Sequence, residues 1–249
     1  MTMDTRELAQ RLDDAQCSAK PVEQLTASVP IPIEAAYQVQ AQLLAIRQAR
    51  GERLVGIKMG LTSQAKMVQM GVNEVIWGQL TDAMQIPDGG DVSIGQYIHP
   101  RVEPEVAFRL DAAGRPVAAA AALELIDSRY ADFRFTLPDV VADNTSAAGF
   151  VLGPWCPVPA GLANLGVLLE VDGRVVQTGS TAAILGDPRR ALARGLALAG
   201  AAGLAVGDGW VFLAGAATAA VPLPPGASVR AVVQELGTAS LAAGPGAAG

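Results

Sequence analysis

The stretch from Tyr97 to Leu110, YIHPRVEPEVAFRL, alternates charged and apolar residues in its second half. Alternate side chains of a β-strand share a face, so this pattern predicts a strand on which Glu103 and Glu105 point the same way beside Arg101. The valines and the phenylalanine between them then point into a core. Because Pro104 has no backbone N–H to give to a neighbouring strand, we expect an edge or a strand start here.

Further strand patterns flank this stretch on both sides. Apolar or alternating runs bounded by glycine and turn residues predict strands at 53–60, 123–127, 149–153, 209–215 and 228–236. The run 164–179 predicts a hairpin, because Asp172 and Gly173 would form a two-residue turn between two alternating segments.

Helical patterns are fewer than strand patterns, and two of them come before residue 55. We predict helices from Asp4 to Asp14, from Pro32 to Gly51, over 62–71, and over 187–203. The last of these has an aspartate as its N-cap and a proline as its first helical residue. A helical start followed by many strands predicts the α+β class with a mostly antiparallel or mixed sheet.

Composition excludes several functional classes. Hydrophobic residues make up 51% of the 249 residues, which is enough for a substantial core. The net charge is −6 and no basic stripe is present, so we expect no nucleic-acid partner. The most apolar run, residues 195–207, is too short to cross a bilayer, so we expect no membrane partner. The sequence shows no signal-peptide pattern, and its two cysteines match no metal-binding spacing. We therefore expect reduced thiols and a cytoplasmic location.

The paired glutamates indicate either a metal site or an exposed acidic face. Two carboxylates side by side on a strand repel each other unless something positive lies between them. A divalent cation would remove that repulsion, and hard oxygen donors select Mg²⁺, Mn²⁺ or Ca²⁺. The alternative is a half-buried strand whose acidic face is simply solvated.

A third carboxylate, Glu124, lies in the otherwise apolar run AAALELID. A glutamate among leucines and isoleucine is costly to bury unless it is paired or bound to a metal. Glu124 is therefore either a third metal ligand or the partner of an arginine such as Arg129.

Other polar residues leave alternatives open. Lys58 ends an apolar strand in GIKMGLTS, so it either reaches outward to solvent or points into a site. The loop 144–146 either binds a carboxylate or forms an Asx-type turn. The single histidine, His99, has no accompanying G-x-S-x-G motif, and we expect it to be a turn or surface residue before Pro100.

Several segments together resemble a known family. GIKMGLTSQAKMVQMGV, WGQLTDAM, IHPRVEPEVAF, ALELIDSRYADF and LPDVVADNTSAAGFVLG are similar, in this order from about residue 30 to about residue 237, to the 2-oxo-4-pentenoate hydratase and 4-oxalocrotonate decarboxylase family. That family belongs to the fumarylacetoacetate hydrolase-like superfamily and serves the meta-cleavage route of aromatic catabolism.

The resemblance implies a site and a fold. It implies that Glu103, Glu105 and Glu124 bind Mg²⁺ or Mn²⁺ and that Lys58 is the active-site lysine. We assign substrate binding to Leu61, Trp77 and Ser146. The implied fold is a helical N-terminal part, residues 1–55, followed by a mixed β-sandwich or roll over 56–240 that carries the metal site, with a disordered tail over 241–249. Such proteins usually form oligomers.

Within the family, the decarboxylase branch fits better than the hydratase branch. LTDAM, IDSRY and LPDVVADN are similar to decarboxylases, and Ile76 stands before Trp77-Gly78 where hydratases tend to carry an aspartate. The expected substrate is a small 2-oxo dicarboxylic acid, 4-oxalocrotonate. Three alternatives remain: a 2-oxopent-4-enoate hydratase, an acylpyruvate hydrolase, and a non-catalytic subunit of an enzyme complex.

The segment between Glu105 and Glu124 departs from the family pattern. It spans 19 positions and offers only RLDAAGRPVAAAA where the family has a longer insert with a helix. A displaced Glu124 would weaken the metal site, which is the main support for the non-catalytic alternative. The resemblance also raises the question of a complex with a partner hydratase.

Overall fold

The computed structural model describes residues 4–63 and 74–244. Its regular helices are α1, Thr5–Ser18; α2, Ile33–Ala49; α3, Leu137–Ala142; and α4, Pro188–Ala201. The N-caps explain where two of them begin: the carboxylate of Asp4 accepts hydrogen bonds from the N–H groups of Arg6 and Glu7, and Asp187 caps Arg189. The predicted helices at 4–14, 32–51 and 187–203 are thereby confirmed, whereas residues 64–71 of the predicted helix at 62–71 lie outside the described residues.

The described strands form two sheets. The strands of the larger sheet are β1, Leu54–Gly60; β2, Ile76–Thr81; β3, Gln85–Ile86; β5, Arg101–Leu110; β6, Pro116–Ile126; β7, Ala147–Leu152; β10, Val211–Ala216; and β11, Val221–Pro222. Those of the smaller sheet are β4, Gly90–Val92; β8, Gly166–Val171; β9, Arg174–Ser180; β12, Ser228–Val233; and β13, Gly237–Ala243. The larger sheet has the order β2-β1-β10-β5-β6-β7-β3, with β11 also paired to β5, and the smaller sheet has the order β4-β13-β12-β8-β9.

One face of the larger sheet packs against the smaller sheet. Val102, Leu123 and Leu125 from the larger sheet share a core with Val229 and Leu241 from the smaller one. The hairpin predicted at 164–179 is confirmed, because β8 and β9 pair antiparallel around a turn whose two residues both have positive φ. The architecture is a mixed α/β fold with two curled sheets and few helices.

The hairpin of β5 and β6 replaces the helical insert expected from the family pattern. Asp111 closes the turn, since its carboxylate accepts hydrogen bonds from the N–H groups of Ala113 and Arg115. The two strands then pair without interruption from Arg109–Ala118 to Arg101–Ile126. The short connection therefore fixes the register of Glu124 instead of displacing it.

The prediction of an edge or a strand start at Pro104 is wrong. Pro104 lies in the middle of β5, between β6 on one side and β10 and β11 on the other. The pairing with β10 ends at Glu105 and the pairing with β11 begins at Val102. Pro104 occupies this break, where no N–H donor is needed and its carbonyl accepts from Ala217.

Other boundaries also differ from the sequence predictions. The proposed boundary at residue 55 falls inside β1, and the predicted disordered tail is wrong for residues 241–243, which belong to β13 and pair with both β12 and β4. Residues 245–249 lie outside the described part. Within that part, none of the helices has the length and apolar character needed to cross a bilayer.

Candidate active site

Three glutamates meet on the central strands of the larger sheet. Glu103 and Glu124 are directly paired across β5 and β6, and Glu105 lies two residues along β5 on the same face. One carboxylate oxygen of each lies within 4.8 Å of those of the other two. Glu105 and Glu124 are fully buried and Glu103 is 6% exposed. The alternative of a solvated acidic face is therefore wrong.

Lys58 supplies a positive charge to this cluster. Its ammonium nitrogen Nζ lies 2.9 Å from Oε1 of Glu124 and donates a hydrogen bond of 3.0 Å to the carbonyl oxygen of Thr145. Only 3% of the lysine is exposed, so it points into the site and not outward to solvent. The suggested pairing of Glu124 with Arg129 is wrong, because the cation beside Glu124 is Lys58.

Lys58 leaves oxygens of Glu105 and Glu124 without a partner in the described part of the protein. Oε1 of Glu105 and Oε2 of Glu124 are buried and have no hydrogen-bond donor among the described residues. The other oxygen of Glu105, Oε2, accepts a 2.8 Å bond from the backbone N–H of Gly215. Burial raises the pKa of Glu105 well above its usual range, and repulsion from Glu124 raises it further. Burial also raises the pKa of Glu124, although the Lys58 ammonium opposes that shift.

The loop from Asn144 to Ser146 closes over the lysine. All three residues have positive φ, between 48° and 58°, which is a costly conformation for residues other than glycine. The side chain of Asn144 holds the loop by bonding both the N–H and the carbonyl of Gln79, each at 2.8 Å. Its amide therefore acts as an extra strand partner for β2, which neither sequence interpretation of the loop anticipated.

Two glycines allow this loop to approach the sheet. A Cβ on Gly60 would lie 2.5 Å from Cγ2 of Thr145, and a Cβ on Gly78 would lie 2.7 Å from the carbonyl oxygen of Asn144. Both distances are too short for real side chains. The glycines of β1 and β2 are thus required for the carbonyl of Thr145 to reach Lys58.

Ser146 follows Thr145, whose carbonyl oxygen bonds Lys58, and Leu61 follows the end of β1. Ser146 is 4% exposed, and its hydroxyl oxygen has no hydrogen-bond partner among the described residues. A buried hydroxyl of this kind is costly unless a ligand pairs with it. Leu61 follows β1 with a φ of 56° and packs its side chain among apolar residues of the N-terminal helices.

The structure does not place the Trp77 side chain beside the glutamates. Trp77 is paired with Met59, and both point to the face opposite Lys58, which is paired with Gly78. The Trp77 ring packs in the core and stacks on Tyr37 at 5.7 Å. Only its carbonyl faces the site loop, where it accepts a 3.0 Å bond from the hydroxyl of Thr145. Trp77 therefore positions the loop, and its assignment as a direct substrate contact is corrected.

Sequence reasoning missed two residues that support Glu105. Gly215 has a φ of 108°, and a Cβ there would lie 2.1 Å from the hydroxyl oxygen of Thr62. This conformation allows the Gly215 N–H to reach the carboxylate, and Thr62 is buried against it. In the sequence, the one visible indication of this support was Gly215 at the end of an apolar run, and glycines at such positions are common.

A second buried charged cluster lies behind the loop. Arg129 pairs with the carboxylate of Asp143 and also donates to the carbonyl oxygens of Asp127 and Ala147. Both members of the pair are fully buried. His99 lies in a bend before Pro100, as expected of a turn residue, and is half-buried with its ring 5.0 Å from that of Phe133.

Comparison with known proteins first defines the fold class. No family model matches the chain. The solved structure of fumarylpyruvate hydrolase from Pseudomonas aeruginosa, in complex with Mn²⁺ and pyruvate, has a TM-score of 0.58 at 14% identity and covers 78% of this chain and 90% of that one. At that identity the likeness shows the fold alone, which is the fumarylacetoacetate hydrolase-like fold.

Closer relatives define the family. A 4-oxalocrotonate decarboxylase of a Pseudomonas species is 49% identical over 94% of this chain and 95% of its own length. The structure of 4-oxalocrotonate decarboxylase from Pseudomonas putida G7, complexed with magnesium and adipate, has a TM-score of 0.92 at 35% identity and covers 96% of this chain and 97% of that one. Relatives with hydratase names match as well. This chain belongs to the family of 4-oxalocrotonate decarboxylases and the related hydratases.

Proposed function

We propose that this chain is a carbon–carbon lyase that decarboxylates 4-oxalocrotonate, 2-oxohex-3-enedioate, to 2-hydroxypenta-2,4-dienoate with the help of Mg²⁺ or Mn²⁺. The observation that carries the proposal is the convergence of three buried carboxylates within 4.8 Å, in which oxygens of Glu105 and Glu124 have no hydrogen-bond donor among the described residues. The membership of the decarboxylase family supports the choice of substrate.

The donor set fits a hard divalent cation. Glu103, Glu105 and Glu124 offer oxygen ligands, and within residues 4–63 and 74–244 one buried oxygen of Glu105 and one of Glu124 lack a donor. A cation would remove both the mutual repulsion and the cost of leaving these oxygens unpaired. When bound, the ion would supply Lewis-acid polarisation of a 2-oxo acid.

Lys58 would stabilise the charge that develops during the reaction. Loss of CO₂ from the far end of the substrate leaves an electron pair that delocalises through the double bond towards the oxygen on C2. A buried ammonium held by Thr145 and Glu124 is already oriented towards the site, so it needs no reorganisation when that charge appears. Its location in an apolar strand strengthens the interaction, because water does not screen it.

The remaining residues would bind the substrate and exclude water. The buried hydroxyl of Ser146 is available to donate to a substrate carboxylate. Ile76 lies on the same strand face as Gly78 and close to Gly60, so it adds an apolar wall near Lys58. An isoleucine offers no group to activate water, which favours decarboxylation over hydration. Leu61 would extend this wall.

The direct test replaces Glu103 by Gln and measures CO₂ release from 4-oxalocrotonate with and without Mg²⁺. We expect loss of the Mg²⁺-dependent turnover, because a neutral amide removes one anionic ligand without changing the shape of the site. Glu170, on β8 of the smaller sheet and paired with Arg230, provides the matched control, and Glu170→Gln should retain full activity. Unchanged turnover in the Glu103 variant would exclude the metal site proposed here.

A hydratase is the second candidate, and relatives with hydratase names favour it. Assays with each substrate in turn distinguish the two activities. Release of CO₂ from 4-oxalocrotonate identifies the decarboxylase, whereas formation of 4-hydroxy-2-oxopentanoate from 2-hydroxypenta-2,4-dienoate identifies the hydratase. The non-catalytic alternative loses its main support, because the short β5–β6 connection leaves Glu124 opposite Glu103.

We also propose the assembly and organisation implied by the family. A helical N-terminal region would precede a metal-binding sandwich or roll of the fumarylacetoacetate hydrolase type that begins with β1 and ends with β13, in a cytoplasmic homo-oligomer that can associate with a hydratase. The exposed Val175 and Val176 lie on the edge strand β9, whose unpaired backbone groups could pair with a second copy, and this supports an oligomer. Light scattering of the wild type and of Val176→Lys would test this interface.

A further inference from the structure

The glutamate face of β5 opens at the start of the strand. Exposure along this face increases from Glu105, which is fully buried, through Glu103 at 6% to Arg101, which is half-buried. On β6 it increases from the fully buried Glu124 to the half-buried Ile126, which is the pairing partner of Arg101. The accessible end of the site is therefore lined by Arg101.

Arg101 is held at this position by an aromatic side chain. Its guanidinium lies 4.3 Å above the centre of the Phe133 ring, and it makes no ion pair within residues 4–63 and 74–244. The Phe133 ring in turn contacts His99 at 5.0 Å. Asp127 fixes the segment before Arg101 by accepting from the N–H groups of Ile98 and His99, each at 2.8 Å.

An arginine stacked on a ring keeps the N–H groups along the edge of its plane available for an anion. Every other buried or half-buried cation described near the site already has an acidic partner: Lys58 pairs with Glu124, and Arg129 pairs with Asp143. Arg101 is the one half-buried cation on the glutamate face of β5 whose charge is not used within the described part of the protein.

The spacing matches a six-carbon dicarboxylate. Residues two apart on a strand are separated by about 6.6 Å. Five C–C bonds of about 1.5 Å each separate the terminal carbons of such an acid by about 6 Å when it is extended. An acid whose 2-oxo end is bound by the glutamate cluster therefore reaches Arg101 with its other carboxylate.

We propose that Arg101 binds the distal carboxylate of the substrate and thereby selects dicarboxylic over monocarboxylic 2-oxo acids. This inference rests on the proposed function and adds the residue that distinguishes a 2-oxo dicarboxylate from the monocarboxylic substrates of hydratases. The Phe133 ring and the carboxylate of Asp127 are positioning groups, since they orient Arg101 or the chain before it.

Arg101 contributes to substrate binding and not to the chemical step. The ion pair stabilises the carboxylate before it is lost as CO₂, so it lowers KM without lowering the barrier. A charge-assisted hydrogen bond to a half-exposed arginine corresponds to about ten-fold in affinity. We expect Arg101→Gln to raise KM for 4-oxalocrotonate about ten-fold and to leave kcat undiminished.

The decisive experiment measures binding without turnover. The Mg²⁺-loaded protein is titrated by calorimetry with 2-oxohexanedioate and with 2-oxohexanoate, which share the 2-oxo acid end and differ in the distal carboxylate. Both lack the double bond needed to delocalise the charge. We expect the wild type to prefer the dicarboxylate about ten-fold, and Arg101→Gln to abolish this preference while leaving the affinity for 2-oxohexanoate unchanged. Arg101→Lys should restore part of it.

Arg109 provides a matched control at the other end of the same strand face. Its guanidinium also stacks on an aromatic ring, that of Trp155, at 5.6 Å, but it is exposed and distant from the glutamates. Arg109→Gln should keep the preference. An undiminished preference in Arg101→Gln, or an equal loss for both acids, overturns the role of Arg101. Failure of the proposed function has a different result: neither acid then binds in a Mg²⁺-dependent manner to the wild type.

Discussion

Two buried charged clusters lie on either side of the loop 144–146, and they differ in how completely their charges are paired. In the first, Arg129 and Asp143 neutralise each other, and the arginine also donates to backbone carbonyls. In the second, Glu103, Glu105 and Glu124 lie together, Lys58 pairs with Glu124, and buried oxygens of Glu105 and Glu124 have no donor among the described residues.

The difference distinguishes a structural site from a functional one. A buried ion pair with its hydrogen bonds satisfied fixes one arrangement of the chain, and here it holds the base of the loop that reaches Lys58. A buried cluster with unbalanced charge is unstable on its own and is tolerated where a ligand completes it. The following predictions test this contrast, from the largest effect to the smallest.

Breaking the paired cluster should cost the most stability. Asp143→Asn leaves the Arg129 charge buried without a counterion, and we expect the free energy of unfolding to fall by about 3–5 kcal/mol. Urea denaturation measures this change. Asp82→Asn, at the exposed pair with Arg53, is the control and should leave the midpoint where it is. An Asp143 variant as stable as the wild type would mean that the pair is not structural.

Removing the lysine of the unbalanced cluster should affect catalysis more than folding. With Lys58→Met at saturating Mg²⁺, we expect kcat for CO₂ release to fall by about 10²–10³, since a preorganised charge is lost. Circular dichroism checks that the fold is retained. A kcat equal to that of the wild type would remove the lysine from the mechanism.

Adding the metal should stabilise only the unbalanced cluster. At a Mg²⁺ concentration of 100 times the Kd, the wild type should gain about 2.7 kcal/mol in its free energy of unfolding. Glu105→Gln should lose this gain, yet in EDTA it should unfold at a higher urea concentration than the wild type, because one buried carboxylate has been removed. The prediction fails if Mg²⁺ stabilises the Glu105 variant as much as it stabilises the wild type.

Acid should weaken metal binding at this cluster. The pKa values of Glu105 and Glu124 are raised by burial, so without metal the folded protein retains protons on these carboxyls to a higher pH than the unfolded chain does. Their contribution to stability without metal is therefore present at low pH and is lost as the pH rises through the raised pKa values. Mg²⁺ must displace these protons, so its affinity should fall by about ten-fold per pH unit for each proton displaced. Calorimetry at several pH values measures this slope, and a constant Kd would contradict it.

Residue patterns predicted the strands that hold the site. Alternation in RVEPEVAF placed Glu103 and Glu105 on one face, and the cost of a glutamate within AAALELID indicated that Glu124 needs a partner. The hairpin turn at Asp172-Gly173 and the helix beginning at Asp187 follow from local chemistry and are confirmed. The family resemblance then connected these residues to a metal and a substrate class.

Other features depend on contacts between distant segments. The sequence does not show that Pro104 lies at the break between β10 and β11, because that break is created by strands more than 100 residues later. The sequence prediction misassigned Trp77, because the direction of the Trp77 side chain depends on the pairing of β1 with β2. The sequence also does not show that the N–H of Gly215 bonds Glu105, because this contact joins two distant segments of the chain.

The sequence by itself determined which side chains are candidates for the site and that Glu103 and Glu105 share a strand face, because these properties follow from residue type, the family resemblance and a two-residue period. Only the tertiary structure decided that three carboxylates and one lysine converge, that Arg129 belongs to a different cluster, and that Arg101 lines the open end. The reason is that charge balance and burial are set by strand register and by the approach of loops, which are properties of the whole packed chain.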